Sequence, residues 1–377
     1  MLPIKTSRNA AALLIVVSAA VGALAVVPDV RHGPPPPPAD RPEFDDSHFH
    51  LTNYIQQGID VRAFLQIMGT RVGRSTLFGI PLQQQWSYAN SESFAPTYYL
   101  QSDAPLYYYS FTDAYIATAY RSLSTEERAR FDPMITGFNP ADMYGVDHIR
   151  RVLQTFPGIF SGIGEFTIHK EFVSAKIAGE TASLANPALD RILDFAAEAG
   201  LVVLIHNDID VPFASEGAEP VYLSQMKDLL ARHPHATIIW AHTGLGRVVH
   251  PVSASAGSTE RSSNHIGIVE DMLTDPALRH VNFDISWDEV AKYAVATPDT
   301  VVRTAALFDR FPDRFLFGTD TVAPAGAAQY YRVYELWQPV WRLLTPETAT
   351  KVRRANYERI FDLARQRVRE WERANLH

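Results

Sequence analysis

Five short apolar runs in this chain each carry an ionisable residue at or near the C-terminal end. They are Glu165 in FSGIGE, His206 in LVVLIH, His242 in ATIIWAH, Asp284 in VNFDIS and Asp320 in RFLFGTD. Positions 165, 206, 242, 284 and 320 lie 41, 36, 42 and 36 residues apart. A strand, a loop, a helix of three or four turns and a return loop consume roughly 30 to 40 residues, so the spacing predicts a row of βα units. In a (β/α)8 barrel all parallel strands end on one face, and residues at those ends converge on a single pocket. The chain is therefore expected to be an enzyme with its site at the strand ends.

A sixth polar strand end lies upstream, in Asp46-Ser47-His48-Phe49-His50. Alternate strand residues share a face, so His48 and His50 project the same way, about 6 to 7 Å apart along the strand, and can reach one cation. His206 and Asp320, ending the fifth and eighth expected strands, are the natural further ligands for a divalent metal with an open position. A lone His-x-His or a single strand-end Asp is more often a hydrogen-bonding residue than a ligand. It is the combination that points to metal. Most of the remaining histidines read as structural: His233 and His235 flank Pro234 in a turn, His148 sits in a helical stretch, and His250, His265 and His280 lie in or beside loops.

Composition narrows the class. With 46% hydrophobic and 20% charged residues the chain reads as globular, and its net charge of -8 argues against a nucleic-acid partner, which would call for a basic face. Cysteine is absent, which excludes disulfides, thiolate ligands and a cysteine nucleophile and leaves nitrogen and oxygen donors for the metal.

Three segments follow. Residues 1–28 carry Lys5 and Arg8 ahead of a long uncharged apolar stretch, with Ala23-Leu24-Ala25 as a small-x-small cleavage site. They read as a signal peptide or an uncleaved N-terminal membrane anchor, delivering the protein to a periplasmic or other extracytoplasmic location, with membrane contact only through this segment. Residues 29–42 form a proline-rich spacer, and 43–377 the barrel. Strand two is expected at Arg74–Pro81 and strand three at Pro133–Phe138, separated by an aromatic-rich insertion at about 82–132 that walls the pocket, part of which, Thr112–Leu123, also reads as an amphipathic helix on the rim. Helices are expected at Ile59–Met68, at Ala188–Ala199 behind Asn186-Pro187, at Tyr222–His233, and from Thr297-Pro298 to Phe311; a last one, opened by Thr345-Pro346, continues to Ala374 around the outside.

Taken in order, Asp46-x-His48-x-His50, Gly162-Ile-Gly-Glu165, His206, Trp240-Ala-His242-Thr-Gly-Leu-Gly246, Phe283-Asp-Ile-Ser286, Phe317-Gly-Thr-Asp320 and Ala355-Asn356-Tyr-Glu-Arg-Ile-Phe361 resemble the amidohydrolase superfamily. The nearest branch is the amidohydrolase-related group (Amidohydrolase 2) that includes aminocarboxymuconate semialdehyde decarboxylase, and the resemblance spans nearly everything from Asp46 to about Leu363. It implies a distorted (β/α)8 TIM barrel with one divalent metal, zinc or manganese, held by His48, His50, His206 and Asp320, with His242 catalytic or polarising the substrate. Binuclear members carry a carboxylated lysine at the end of strand four; here that end is Glu165, with Lys170 five residues on, which favours one metal. Glu165 is left to touch metal or substrate, or to hold a loop.

The expected function is metal-dependent hydrolysis of an ester, lactone or amide, with Asp320 taking the proton of an activated water and His242 stabilising charge on a substrate oxygen. Arg247 is placed to bind a carboxylate of a small-molecule substrate, or else to make a salt bridge at a helix start. The alternatives are a decarboxylase on the same site and, more remotely, an inactive envelope-anchored binding protein. A homo-oligomer is compatible with the sequence.

Overall fold

The computed structural model describes residues 41–53, 57–80, 84–86, 111–170, 173–175, 183–211, 219–246 and 265–376. The expected signal or anchor, nearly all of the spacer, Arg247, His250 and the aromatic stretch 87–110 lie outside the described residues. Eight strands alternate with eight helices in the order β1 (Phe44–Asp46), α1 (Val61–Met68), β2 (Val72–Leu77), α2 (Thr112–Arg121), β3 (Phe131–Ile135), α3 (Gly145–Thr155), β4 (Gly162–Thr167), α4 (Pro187–Ala199), β5 (Val202–His206), α5 (Leu223–Arg232), β6 (Thr237–Trp240), α6 (His265–Thr274), β7 (Val281–Asp284), α7 (Pro298–Arg310), β8 (Phe315–Leu316) and α8 (Asn356–Asn375).

Each strand pairs in parallel with its sequence neighbours, from β1 to β8. The seam between β8 and β1 is closed differently. Ser47 N donates to Phe317 O (3.0 Å), Asp320 N donates to His48 O (2.8 Å), and Phe49–His50 pairs in parallel with Thr321–Val322. The result is a closed but distorted (β/α)8 barrel, as the spacing predicts.

Local sequence explains the punctuation. The Asn186 side chain accepts from Ala188 N, Pro187 occupies the first turn of α4, and Gly200, at φ 77°, ends it in the left-handed conformation. Thr297 and Thr300 cap α7 reciprocally, with Pro298 in its first turn. Along β5 the side chains alternate: Val203 and Ile205 join the large cluster beneath the outer helices, while Val202 and Leu204 point inward to meet Ile239 and Leu316. Truncating one such buried aliphatic to alanine costs about 2 to 5 kcal/mol.

Two expectations need correction. Only the second half of the final helix lies around the outside, with Trp371 against Phe195 of α4; in the first half Tyr357, Ile360, Phe361 and Ala364 pack with the inward-facing Val202, Leu204, Ile239 and Leu316 and close the N-terminal end. The helix is tied there by the fully buried Asp132, whose carboxylate accepts from Tyr357 OH (2.7 Å), Arg74 NH2 (2.8 Å) and Arg365 Nε (2.5 Å). The 82–132 segment is likewise only partly an insertion. Its second half is α2, the barrel's own second helix, with Ile116 and Ala117 buried. There Asp113 accepts from Thr136 N (2.8 Å) and Gly137 N (3.0 Å), and this capture ends β3 at Ile135, short of the expected Phe138. The described part of the first half, Gln84–Trp86, pairs antiparallel with Val173–Ala175. Among the described residues no helix is long and apolar enough to cross a membrane.

Candidate metal centre

At the C-terminal end of the barrel, His48 and His50 are buried and turn their Nε2 atoms toward each other. Asp46, the first residue of their motif, does not join them. Its carboxylate accepts from His48 N (3.0 Å), Thr319 N (2.8 Å), Thr319 Oγ1 (2.7 Å) and Tyr330 OH (2.8 Å), so it staples β1 to the loop after β8. Close approach at that seam requires Gly318, where a Cβ would stand 2.8 Å from His48 Cβ.

Both imidazoles are oriented by partners behind them. His48 Nδ1 donates to Asp284 Oδ2 (2.7 Å) and His50 Nδ1 donates to the Gly79 carbonyl (3.1 Å). Each Nε2 is thereby left with its lone pair pointing inward. The two Nε2 atoms lie 3.2 Å apart, and each is 3.3 Å from Asp320 Oδ1. Ligands about 2.0 to 2.1 Å from a tetrahedral metal are separated by about 3.3 Å, so this nearly equilateral triangle is one face of such a site. Three facing lone pairs repel one another unless a cation sits among them; without a metal the neighbouring carboxylates favour a proton on His48 Nε2, which a metal ion would displace. The residues fit a divalent metal.

Glu165 reaches the same space through a slip in register. The β4–β5 ladder shifts between Ile163 and Phe166, a bulge that turns Glu165 inward beside Gly164. A Cβ at position 164 would meet Thr136 Cγ2 at 2.8 Å and the Phe78 ring at 2.9 Å. Glu165 divides its oxygens. Oε2 stands 3.4 Å from His50 Nε2 and 3.8 Å from His48 Nε2, whereas Oε1 is 2.6 Å from His206 Nδ1 and 3.4 Å from His242 Nε2. His206 is engaged on both sides, since its Nε2 is 3.1 Å from Asp208 Oδ1. The ring that the sequence offers as a ligand thus hydrogen-bonds through both nitrogens, and it would ligate only by exchanging one of those partners. Groups compatible with a cation are His48–His50–Glu165, His48–His242–Asp320 and Glu165–His206–His242.

His242 is buried, with Nδ1 3.0 Å from Ser286 Oγ; among the described residues its Nε2 makes no well-formed hydrogen bond, its nearest acceptor being Glu165 Oε1 at 3.4 Å. It sits in a turn, Ala241–Gly244, where His242 and Thr243 both adopt left-handed backbone at φ 55° and 54°. Asp320 (φ 51°), Trp287 (φ 74°) and Ala323 (φ 38°) complete the non-glycine residues of positive φ among those described, and all five follow β6, β7 or β8. Each costs on the order of 1 to 3 kcal/mol, and such strain concentrates where side-chain placement is over-determined.

The electrostatics agree with the geometry. Burial works against ionisation of Glu165 and Asp320, yet the imidazoles facing them, His206 and His242 for Glu165 and His48, His50 and His242 for Asp320, hold both carboxyls below their ordinary range. Burial also opposes a charged His48, but Asp320 and Asp284 outweigh it and raise its pKa well above normal. His242 goes the other way: burial dominates and lowers it, so its ring is neutral.

The structure brings together His48, His50, Glu165, His206, His242 and Asp320, and Arg247 lies outside the described residues. Sequence reasoning passed over Asp208 and gave Ser286 and Lys170 no role in the site. Lys170 Nζ sits over the Trp287 ring at 5.8 Å; burial and this cation oppose a charged His206, but Glu165 and Asp208 outweigh them and raise its pKa. Asp208 and Ser286 each stand two residues beyond a strand-end ionisable group, an i+2 relation that could have marked them.

The profile of the amidohydrolase family (Amidohydro_2, "Amidohydrolase") matches residues 45–363. No curated protein matches the chain. Among solved structures, an amidohydrolase from Burkholderia multivorans with bound HEPES has a TM-score of 0.52 at 13% identity, over 85% of this chain and 99% of its own. The zinc-bound form of that amidohydrolase gives 0.51 at 14%, over 85% and 99%. The 2,6-dihydroxybenzoate decarboxylase from Rhizobium gives 0.50 at 12%, over 86% and 99%. At these identities the likeness concerns the fold alone, a (β/α)8 barrel. With the family profile covering most of the chain and the His48–His50–Asp320 triangle in place, the chain belongs to the amidohydrolase family.

Proposed function

We propose that this chain is a metal-dependent hydrolase that opens an ester, lactone or amide in a small, carboxylate-bearing substrate. The observation that carries the reading is the triangle of His48 Nε2, His50 Nε2 and Asp320 Oδ1, with edges of 3.2, 3.3 and 3.3 Å. A divalent ion such as Zn2+ held there supplies a Lewis acid that brings water ionisation near neutral pH. The bound zinc in the Burkholderia relative favours that metal over Mn2+. Glu165 and His206 stand next to the triangle as further donors.

The chain's own residues do the proton work. Asp320 is ionised at neutral pH because the imidazoles hold its pKa low, so it can accept a proton from water at the triangle. His242, neutral and with Nε2 only 3.4 Å from Glu165 Oε1, is the ring that would turn to a substrate oxygen and stabilise charge there, with Ser286 fixing it from behind. Asp284 holds His48 in the ligating orientation. Lys170 at the rim is a cation for a substrate carboxylate, as Arg247 is on the sequence reading.

A second reading, decarboxylation, rests on that same Lys170: a cation over Trp287 could fix a substrate by one carboxylate while another is lost at the triangle. The Rhizobium decarboxylase shares the fold. The metal-loaded protein should be assayed against lactones, esters, amides and aromatic carboxylates, following acid release and carbon dioxide in parallel. Water-dependent opening supports the hydrolase. Carbon dioxide release without it replaces that reading by the second, and inactivity on every class would remove both. An exported, periplasmic location and a homo-oligomeric state belong to the proposal as well, tested by fractionation and by solution mass.

A further inference from the structure

The opposite end of the barrel carries a feature that hydrolysis at the triangle does not use. A cavity of about 410 Å³ opens between α8 and the residues that lead into β5, β6, β7 and β8. Its lining includes Arg279, Arg314, Arg359 and Arg367 with His235 and His280. The lining holds one carboxylate, Asp313, and that is matched by Lys351 Nζ at 3.0 Å. None of the four arginines makes a salt bridge among the described residues, although the chain as a whole has a net charge of -8.

Three of the four are pre-oriented by neutral acceptors. Arg314 Nε donates to Val281 O (2.6 Å) and its NH2 to Leu278 O (2.8 Å). Arg279 Nε donates to Pro276 O (3.1 Å), and Arg359 NH2 to Asp313 O (2.9 Å). A guanidinium carries five N–H donors, so each keeps several for a ligand. Holding an arginine with carbonyls rather than carboxylates fixes its direction without cancelling its charge. Burial without a counter-ion accordingly lowers Arg314 to about 10.

We infer that this cavity binds a compact multivalent oxyanion of the phosphoryl class. Guanidinium forks match phosphoryl oxygens in bidentate geometry, and four arginines lining one cavity without a carboxylate partner among the described residues favour an anion carrying two or more negative charges. The volume lies in the range of small-ligand sites, about 300 to 1,000 Å³. Barrel enzymes do their chemistry at the other end, so this site is a binding site and leaves the triangle untouched.

The test titrates the full, metal-loaded chain with inorganic phosphate and with pyrophosphate by calorimetry, beside a variant carrying Arg279→Ser and Arg367→Ser, both exposed positions remote from the triangle. The expected result is one anion per chain, pyrophosphate binding tighter than phosphate, and affinity about tenfold or more weaker in the variant. The companion variant Arg279→Lys with Arg367→Lys keeps charge but loses the fork, and should fall between the two. Vesicles of phosphatidylcholine with and without phosphatidic acid identify the source of the phosphoryl group: sedimentation with the acidic vesicles, reversed by pyrophosphate, assigns a lipid headgroup, and binding of free anions alone assigns a soluble one. Absence of saturable binding at millimolar anion, or equal affinity in wild type and the Ser variant, overturns the inference.

Discussion

The two ends of this barrel both carry carboxyl groups that are buried or nearly so and treat them in opposite ways. At the C-terminal end, Glu165 and Asp320 are held below the ordinary carboxylate range because imidazoles face them. At the N-terminal end, Asp45 is pushed up to about 7: burial dominates, its Oδ2 has no partner, and only the Arg74 amide and more distant guanidinium groups oppose the shift. Counter-charge, and not depth, decides whether a buried acid is ionised. The site end is built to stay charged and therefore to attract a cation. The closed end is built for packing on its β1–β3 side, where Arg74 and Arg365 are spent on Asp132, and leaves its arginines uncancelled on the β5–β8 side.

That contrast can be broken from the closed end first. Asp132→Ala strips Tyr357, Arg74 and Arg365 of their shared acceptor and should destabilise the fold by about 3 to 5 kcal/mol in urea unfolding, with metal content unchanged in the folded fraction. A loss under about 1 kcal/mol would show that α8 is held by its apolar contacts alone.

Asp45→Asn gives the next effect, and its sign follows from the raised pKa. Asp45 binds its proton more tightly folded than unfolded, so its contribution to stability is full below pH 3.8 and is lost as pH rises through about 7. Asparagine stays neutral throughout. The variant should therefore gain on wild type between pH 4 and 7, by up to about 4 kcal/mol. A stability difference that is flat with pH would mean that Asp45 ionises as freely in the folded protein as in the unfolded one.

At the site end, Asp320→Asn keeps size and an oxygen donor but loses the charge, so turnover should drop about 10²-fold or more while metal content falls less. If turnover survived with metal bound and His242→Ala abolished it, the proton would have to pass through His242. Asp284→Asn should cost somewhat less, about 10- to 100-fold in metal affinity or activity, because it acts through the orientation of His48. An unchanged metal affinity there would mean that Ser286, 3.1 Å from His48 Nδ1, orients the ring unaided.

How far sequence reached is also a contrast between the ends. The strand ends were legible because two periods coincide: near-constant βα spacing places residues 165, 206, 242, 284 and 320 on one rim, and strand alternation aims His48 and His50 together. What was not legible depends on departures from period. Glu165 turns inward only through the bulge in β4, and the engagement of both His206 nitrogens needs Asp208, which lies past the strand end. At the closed end, the apolar stripe of α8 shows that the helix packs but not on what, since the outer wall and the open barrel floor are equally apolar. Likewise His235, Arg279, Arg314 and Arg359 come from separate βα returns and α8, and only barrel closure gathers them.

The most direct test is metal analysis of the purified protein beside its His48→Ala/His50→Ala variant, each also checked for folding by circular dichroism. Wild type should carry about one divalent ion per chain, and the folded variant far less, because two of the three vertices of the triangle are gone. Full stoichiometric metal in the folded variant, or a wild-type protein that takes up no divalent ion when supplied with zinc or manganese, would contradict the account.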